Sequence, residues 1–423
     1  MGPLDVGAIL LLLAALIGFV NQVYVGIPRG IALLLGALAI ALLFGITDHV
    51  LHVDLVARIR LRLEGAALGR LLLDGALAFL LFAASLHVDL GQLRRNAAII
   101  ATLATFSVIL ATIIFGTAIW GATRAAGLPI PLGWALVAGA ILAPTDAVVV
   151  ESLLRPLRLP PALKAAVSGE SLFNDGAGVA LFLIMLSLAQ GAQDVVGHGR
   201  VALALLREIA GGLVLGAACG WVASLAMRRA AESAICLLIS LALVLGTYRV
   251  ALEFGISGPI AVVAAGLVVG RHAPAFMRDL AAEDQPSELV AFWSLVDELL
   301  NALLFLFMGF QVLAVERTHV RLLPVLIAIP AALLARFVSV AVPLLLIRGR
   351  AAPPRSIALL TWAGLRGGIS VALALNLPDS PWRDQLLAIC YGVVLFTVVV
   401  QGLSMKRVTR LLYGHLEPTP AGD

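Results

Sequence analysis

Ser168-Gly169-Glu170-Ser171-Leu172-Phe173-Asn174-Asp175-Gly176-Ala177-Gly178 lies inside a stretch, residues 162–189, that is otherwise apolar enough to cross a membrane. An ionised carboxylate at the centre of a bilayer costs roughly 2.5–3.5 kcal/mol even on lenient insertion scales. Glu170, Asn174 and Asp175 fall within six residues, so their polarity has to be compensated from elsewhere. Glu170 and Asn174 are four residues apart, as are Ser171 and Asp175, which gives the helix two neighbouring polar faces. A polar patch of this kind can simply hold helices together. That reading fits Glu170, since a carboxylate paired with a buried arginine keeps its charge. Asp175 is then left as the group whose charge the protein works with.

Composition agrees with a membrane setting. The 423-residue chain is 61% hydrophobic and only 13% charged, with mean hydropathy +1.05. A soluble protein carries about a quarter of its residues as charges. Long unbroken apolar runs such as 9–20 and 386–400 exclude an outer-membrane barrel, which needs short segments of alternating polarity. The fold class is therefore an all-α polytopic membrane protein. A net charge of +4 comes from loop arginines and implies no nucleic-acid surface. Cys219, Cys236 and Cys390 all fall in apolar runs and suggest no disulfide framework. Lys164 and Lys406 are the only lysines among 29 basic residues, a bias that accompanies GC-rich bacterial genomes. The N-terminal apolar run lacks a basic flank and reads as a retained first helix.

Windows of about 20 apolar residues give thirteen candidate spans: 4–20, 27–45, 67–87, 95–120, 131–151, 162–189, 201–227, 232–250, 256–270, 288–314, 321–347, 354–376 and 385–405. Residues 54–64 alternate charged and bulky apolar side chains and read as an interfacial connection. With the N-terminus outside, 16 basic residues fall on the inner side and 11 on the outer, which favours an N-out, C-in topology. Two arginines remain, Arg336 and Arg366, and both lie mid-span.

Two interruptions stand out. In Leu142-Ala143-Pro144-Thr145-Asp146-Ala147 the proline removes a backbone donor and biases its predecessor away from helix, so span five opens here. Asp146 either faces an interior site with the freed carbonyls or caps the second half of its own helix. In Thr361-Trp362-Ala363-Gly364-Leu365-Arg366-Gly367-Gly368 three glycines within five residues suggest a second broken, or closely packed, helix. Arg366 could hold a positive charge at those half-helix ends. Each interruption comes one span before a further apolar span, so spans 4–6 and 11–13 look like two copies of one unit. An offset of seven spans, an odd number, makes them inverted repeats. Paired broken helices in inverted repeats point to the midplane site of a secondary transporter.

Weaker signals follow. His87-Val88-Asp89 marks a water interface, and Asp74, Arg207 and Glu208 lie near span ends, where long side chains snorkel. Asp297 and Glu298 read as first-turn acids of span ten, with Asn301 able to reach inward. Arg249 and Glu253 read as a local pair.

Ala143-Pro144-Thr145-Asp146, Gly169-Glu170-Ser171 with Asn174-Asp175, Ser257-Gly258-Pro259-Ile260-Ala261-Val262 with Gly266-Leu267-Val268-Val269-Gly270, and Trp362-Ala363-Gly364-Leu365-Arg366-Gly367 together resemble the monovalent cation/proton antiporters, in the branch of NhaP-type sodium/proton antiporters and sodium/proton exchangers. The likeness covers nearly the whole chain, in order. It implies a homodimer in the bacterial inner membrane. Residues 1–94 and 190–320 would be dimer scaffold, 95–189 and 321–405 core helices, and 406–423 a cytoplasmic tail. Asp175 would bind cation and proton alternately, with Asp146, Thr145 and Ser171 supplying further oxygens. Asn174 would stand where electrogenic relatives carry a second aspartate, which implies one-for-one exchange. Glu170 would pair with Arg336, and Arg366 would offset the half-helix ends.

Two departures bear on ion selectivity. A glutamate common in span three is here Ala83, and the usual proline after the span-five aspartate is Ala147. The expected activity is exchange of Na⁺, or Li⁺, for H⁺ by alternating access, with K⁺/H⁺ exchange as the alternative. No cofactor beyond the transported cation is implied, and no enzymatic reaction. An intramembrane hydrolase would carry GxGD or HExxH, and neither is present. A channel would show flux without coupling to ΔpH.

Overall fold

The computed structural model describes residues 3–51, 75–86, 88, 90–146, 161–191, 200–230, 232–277, 288–310, 320–348 and 354–413. Every regular element among them is helical. Nine helices among the described residues are long and apolar enough to cross a bilayer. Three shorter apolar helices, Ala76–Leu86, Leu132–Ile141 and Gly258–Arg271, fall on expected spans three, five and nine. Span twelve comes as two pieces, Pro354–Trp362 and Gly368–Leu375. Each of the thirteen expected spans thus has a helical counterpart, and the chain is a multi-pass membrane protein.

In chain order the helices are α1 (Pro3–Val20), α2 (Arg29–Leu51), α3 (Ala76–Leu86), α4 (Leu90–Arg95), α5 (Ala97–Ala104), α6 (Phe106–Ala125), α7 (Leu132–Ile141), α8 (Pro161–Ala189), α9 (Arg200–Met227), α10 (Ser233–Glu253), α11 (Gly258–Met277), α12 (Glu288–Phe310), α13 (Leu322–Arg348), α14 (Pro354–Trp362), α15 (Gly368–Leu375), α16 (Arg383–Phe396) and α17 (Gly402–Tyr413). The first helix ends through a π turn, Asn21–Val25, closed by Gly26 at φ +71°, a left-handed conformation that glycine adopts without strain. The Asn21 carboxamide is bonded to both backbone groups of Ile27, so the turn leaves no buried polar group without a partner there.

Apolar side chains sort the helices into clusters. The largest runs through α5–α8 and α13–α17, and takes in Ile31, Leu33 and Leu34 of α2 with Phe305 and Met308 of α12. A second lies between α3, α9, α10, α11 and α12. At its centre Trp293 stacks on Phe79 and tilts against Phe82, with its indole N–H donated to Ser240 at 3.0 Å. Gly212, Gly216 and Gly220 form a stripe on α9 where any β-carbon would strike the backbone of Ser257, just before α11, or of Ala261 and Ala265 within it. Small residues at that spacing let two membrane helices touch backbone to backbone. Large apolar side chains such as Leu12, Phe19, Val214 and Leu346 point outward, as a bilayer-facing surface requires.

Two sequence readings shift. Asp297 and Glu298 lie more than two turns into α12, which begins at Glu288, and so are not first-turn acids. Glu298 pairs with Arg29 at the start of α2. The last helix continues past the predicted span end, through a π turn at Thr397–Gln401 and on to Tyr413. Arg249 and Glu253 do form the local pair, at 2.8 Å. Residues 54–64, Asp74, His87, Asp89 and Ala147 lie outside the described residues.

Candidate functional site

The two interruptions meet. α7 stops at Ile141 and the chain is non-helical through Asp146, as Pro144 dictates. α14 stops at Trp362, and α15 begins only at Gly368. Backbone groups freed by one break are satisfied by the other. The Asp146 N–H donates to the Leu365 carbonyl at 2.8 Å. Arg366 Nη1 donates to the carbonyls of Ala143 and Pro144, at 2.6 and 2.9 Å. Arg366, 3% exposed, thus sets its charge against the C-terminal end of α7, where unsatisfied carbonyls concentrate partial negative charge. Any β-carbon on Gly367 would run into the Asp146 carboxylate. Asp146 therefore sits against the N-terminal end of α15, a half-helix of the other repeat. The reading in which it caps the rest of its own span concerns residues outside those described.

α8 brings its polar residues to this crossing from one side. The Glu170 carboxylate receives two guanidinium N–H groups of Arg336, Nη1 to Oε1 and Nη2 to Oε2 at 2.9 Å. Arg336 also donates to the Leu360 carbonyl through Nε and Nη2. Both side chains are buried, so this bidentate geometry is what offsets the desolvation of two charges. Asn174 holds Thr145 from two directions. Its Nδ2 donates to the Thr145 hydroxyl at 2.7 Å, and its Oδ1 accepts the Thr145 N–H at 3.4 Å. The Ser171 hydroxyl lies 3.1 Å from the same Thr145 hydroxyl. Gly178 lets the Pro144 ring lie directly on α8, since a β-carbon there would overlap it.

Asp175 follows in the next turn position and differs from its neighbours. It is buried, and its Oδ1 has no hydrogen-bond partner among the described residues. It borders a cavity of about 40 Å³, which is room for a water or two or a largely dehydrated alkali cation. The polar lining is Thr145, Asp146, Asp175, Asn301 and Ser370, against apolar walls that include Leu80 and Leu304. Of the residues read from the sequence, Asp175, Asp146 and Thr145 face this space. Ser171, Asn174, Glu170, Arg336 and Arg366 do not line it. Asn301 reaches inward from α12, while its amide is also bonded to Asp297 four residues earlier. Sequence reasoning missed Ser370. Its signal was faint: a serine two residues after the glycine pair that opens the second half-helix.

Two interrupted membrane helices from inverted repeats, crossing at a buried carboxylate, define a secondary transporter. The chain belongs to the sodium/hydrogen exchanger family: residues 12–411 match the family model described as "Sodium/hydrogen exchanger, transmembrane". It is 35% identical over 421 residues to the Na(+)/H(+) antiporter NhaP of Pseudomonas aeruginosa, with 97% of each chain covered. It is 33% identical over 288 residues to the Na(+)/H(+) antiporter NhaH of Halobacillus aidingensis, covering 67% of this chain and 70% of that one. Its fold is similar to the solved structure of the sodium proton antiporter MjNhaP1 from Methanocaldococcus jannaschii at pH 8, with TM-score 0.75 and 18% identity over 97% of this chain and 99% of that one.

Proposed function

We propose that this protein exchanges one alkali cation, Na⁺ with Li⁺ as a second substrate, for one proton, and that the two compete for Asp175. The observation that carries this is the unpartnered Oδ1 of Asp175 beside a cavity shared by both breaks. A bare carboxylate at membrane depth is costly, so Asp175 needs either a proton or a cation. The other buried charges at the crossing already have partners among the described residues: Glu170 has Arg336, and Arg366 has the carbonyls of Ala143 and Pro144. Hard alkali cations take oxygen ligands. Asp175, Asp146 and Thr145 offer them at the cavity wall, while Ser171 and Asn174 stand behind and fix the Thr145 hydroxyl.

In alternating access, residues 95–189 and 321–405 move as a core against a scaffold of 1–94 and 190–320, and do so only when Asp175 is neutralised. The scaffold mediates a homodimer in the bacterial inner membrane, with the N-terminus outside and residues 406–423 in the cytoplasm. Relatives named as Na(+)/H(+) antiporters support the choice of ion.

The test is exchange in proteoliposomes. Asp175→Asn is expected to abolish Na⁺-driven proton flux, and retained flux would overturn the reading. Competition also requires the apparent KM for Na⁺ to rise as pH falls, with the maximal rate unchanged. A parallel K⁺ titration decides between Na⁺/H⁺ and K⁺/H⁺ exchange.

A further inference from the structure

We infer that the Ser370 hydroxyl is a cation ligand contributed by the second half-helix, completing from the other repeat the oxygen set that Asp175, Asp146 and Thr145 begin. This rests on the reading of the cavity as the transport site.

Six buried side-chain oxygens or nitrogens lack a partner among the described residues. Asp175 Oδ1 and Ser370 Oγ are the two that belong to residues bordering the cavity; Thr247, Ser380, Tyr391 and Gln401 do not border it. Ser370 is 1% exposed, so bulk solvent does not reach it. Hydroxyls in membrane helices ordinarily fold back onto their own helix. Ser85 does so onto Phe82, Thr112 onto Val108, Ser224 onto Gly220 and Thr409 onto Met405.

Ser370 lacks that outlet because of where it sits. It is the third residue of α15, so the carbonyl four residues back belongs to Arg366, outside the helix. The Gly367 carbonyl, three back, accepts the Val371 N–H, and the Ser370 hydroxyl makes no bond to it. A buried hydroxyl left so costs free energy unless something in the cavity meets it. Its lone pairs suit a hard cation, and Asp175 supplies the charge that draws one in. The break at residues 363–367 thus does more than let two segments cross: it exposes an oxygen that an intact helix would have tied to its own backbone.

The experiment compares wild type with Ser370→Ala in proteoliposomes, measuring initial exchange rates against Na⁺ and Li⁺ concentration, and thermal unfolding of the purified protein. Removing one neutral oxygen ligand is expected to raise the apparent KM for both ions about fivefold, with the maximal rate and the unfolding temperature unchanged. An unaltered KM would overturn the inference and mean that the hydroxyl meets only water. A marked fall in unfolding temperature would also overturn it, because it would reveal a partner for Oγ within the protein. The wild-type arm isolates the underlying reading: if wild type exchanges no alkali cation for protons, the transport site itself is misassigned, whatever Ser370 does.

Discussion

Glu170 and Asp175 are five residues apart on one helix, both buried, yet they should respond in opposite ways to loss of charge. Glu170 is bonded through both oxygens to Arg336. Glu170→Gln leaves that guanidinium buried against a neutral amide, a change that costs about 3–5 kcal/mol when a buried ion pair is broken. Thermal unfolding in detergent should show a large drop, most of which is recovered when Arg336 is replaced by an apolar residue of similar volume in the same chain. Asp175 has an oxygen with no partner to lose. Asp175→Asn should therefore unfold at the same temperature as wild type or above it, while exchange is abolished; a destabilised Asp175→Asn would mean that its carboxylate is structural. The pairing of Glu170 with a mid-span arginine was legible in the sequence, because two such arginines were left over once the loop charges had been counted. Which arginine meets Glu170 came from the family resemblance alone. Ser370 was not legible, since a serine in an apolar helix normally bonds its own backbone, whereas the Ser370 hydroxyl at the start of α15 does not.

At the scale of elements, the breaks position the site by touching each other, and Gly367 is where they come nearest. A β-carbon there would overlap the Asp146 carboxylate. Gly367→Ala must push the two crossing segments apart, weakening the Asp146 N–H to Leu365 and Arg366 to Ala143 bonds. Small displacements of a reacting group cost large factors in rate, so initial exchange rates should fall at least about tenfold. Because the apolar packing of α14 and α15 is untouched, the protein should remain monodisperse in size-exclusion chromatography. Both breaks were legible from residue type: proline removes a donor, and clustered glycines relieve crowding. The start of α12 at Glu288 matches the expected span, but Asp297 and Glu298, which look like helix-start acids, face Asn301 and Arg29 from mid-helix. The π turn at Thr397–Gln401 has no sequence signature. At its first residue, the Thr397 hydroxyl accepts the backbone N–H of Arg366 at 3.2 Å.

At the scale of the whole molecule, all thirteen spans could be counted from hydropathy because a bilayer demands backbone self-sufficiency over a fixed length. How those spans pack could not, since apolar residues on every face of a helix do not say which side meets protein and which meets lipid. What the packed molecule adds is a charge count at the crossing. Among the described residues, buried Glu170 is paired with Arg336 and buried Arg366 with the carbonyls of Ala143 and Pro144, while half-buried Asp146 lies against the start of α15. In the proposed exchange those partners travel together, and the net charge crossing the membrane is then set by what neutralises Asp175. A proton and an alkali cation each contribute one positive charge, and the loaded core carries the same charge in both directions. The membrane potential then does no work over a full cycle. Were one net charge moved per cycle, 100 mV would supply about 2.3 kcal/mol and change the accumulation ratio by more than an order of magnitude. The prediction is that an imposed inside-negative potential of that size leaves both the initial rate and the final Na⁺ ratio in proteoliposomes within about twofold of the unpolarised value. A ratio that follows the potential would show that a second titrating group moves with Asp175. Asp146, the other carboxylate bordering the cavity, would be the first to replace.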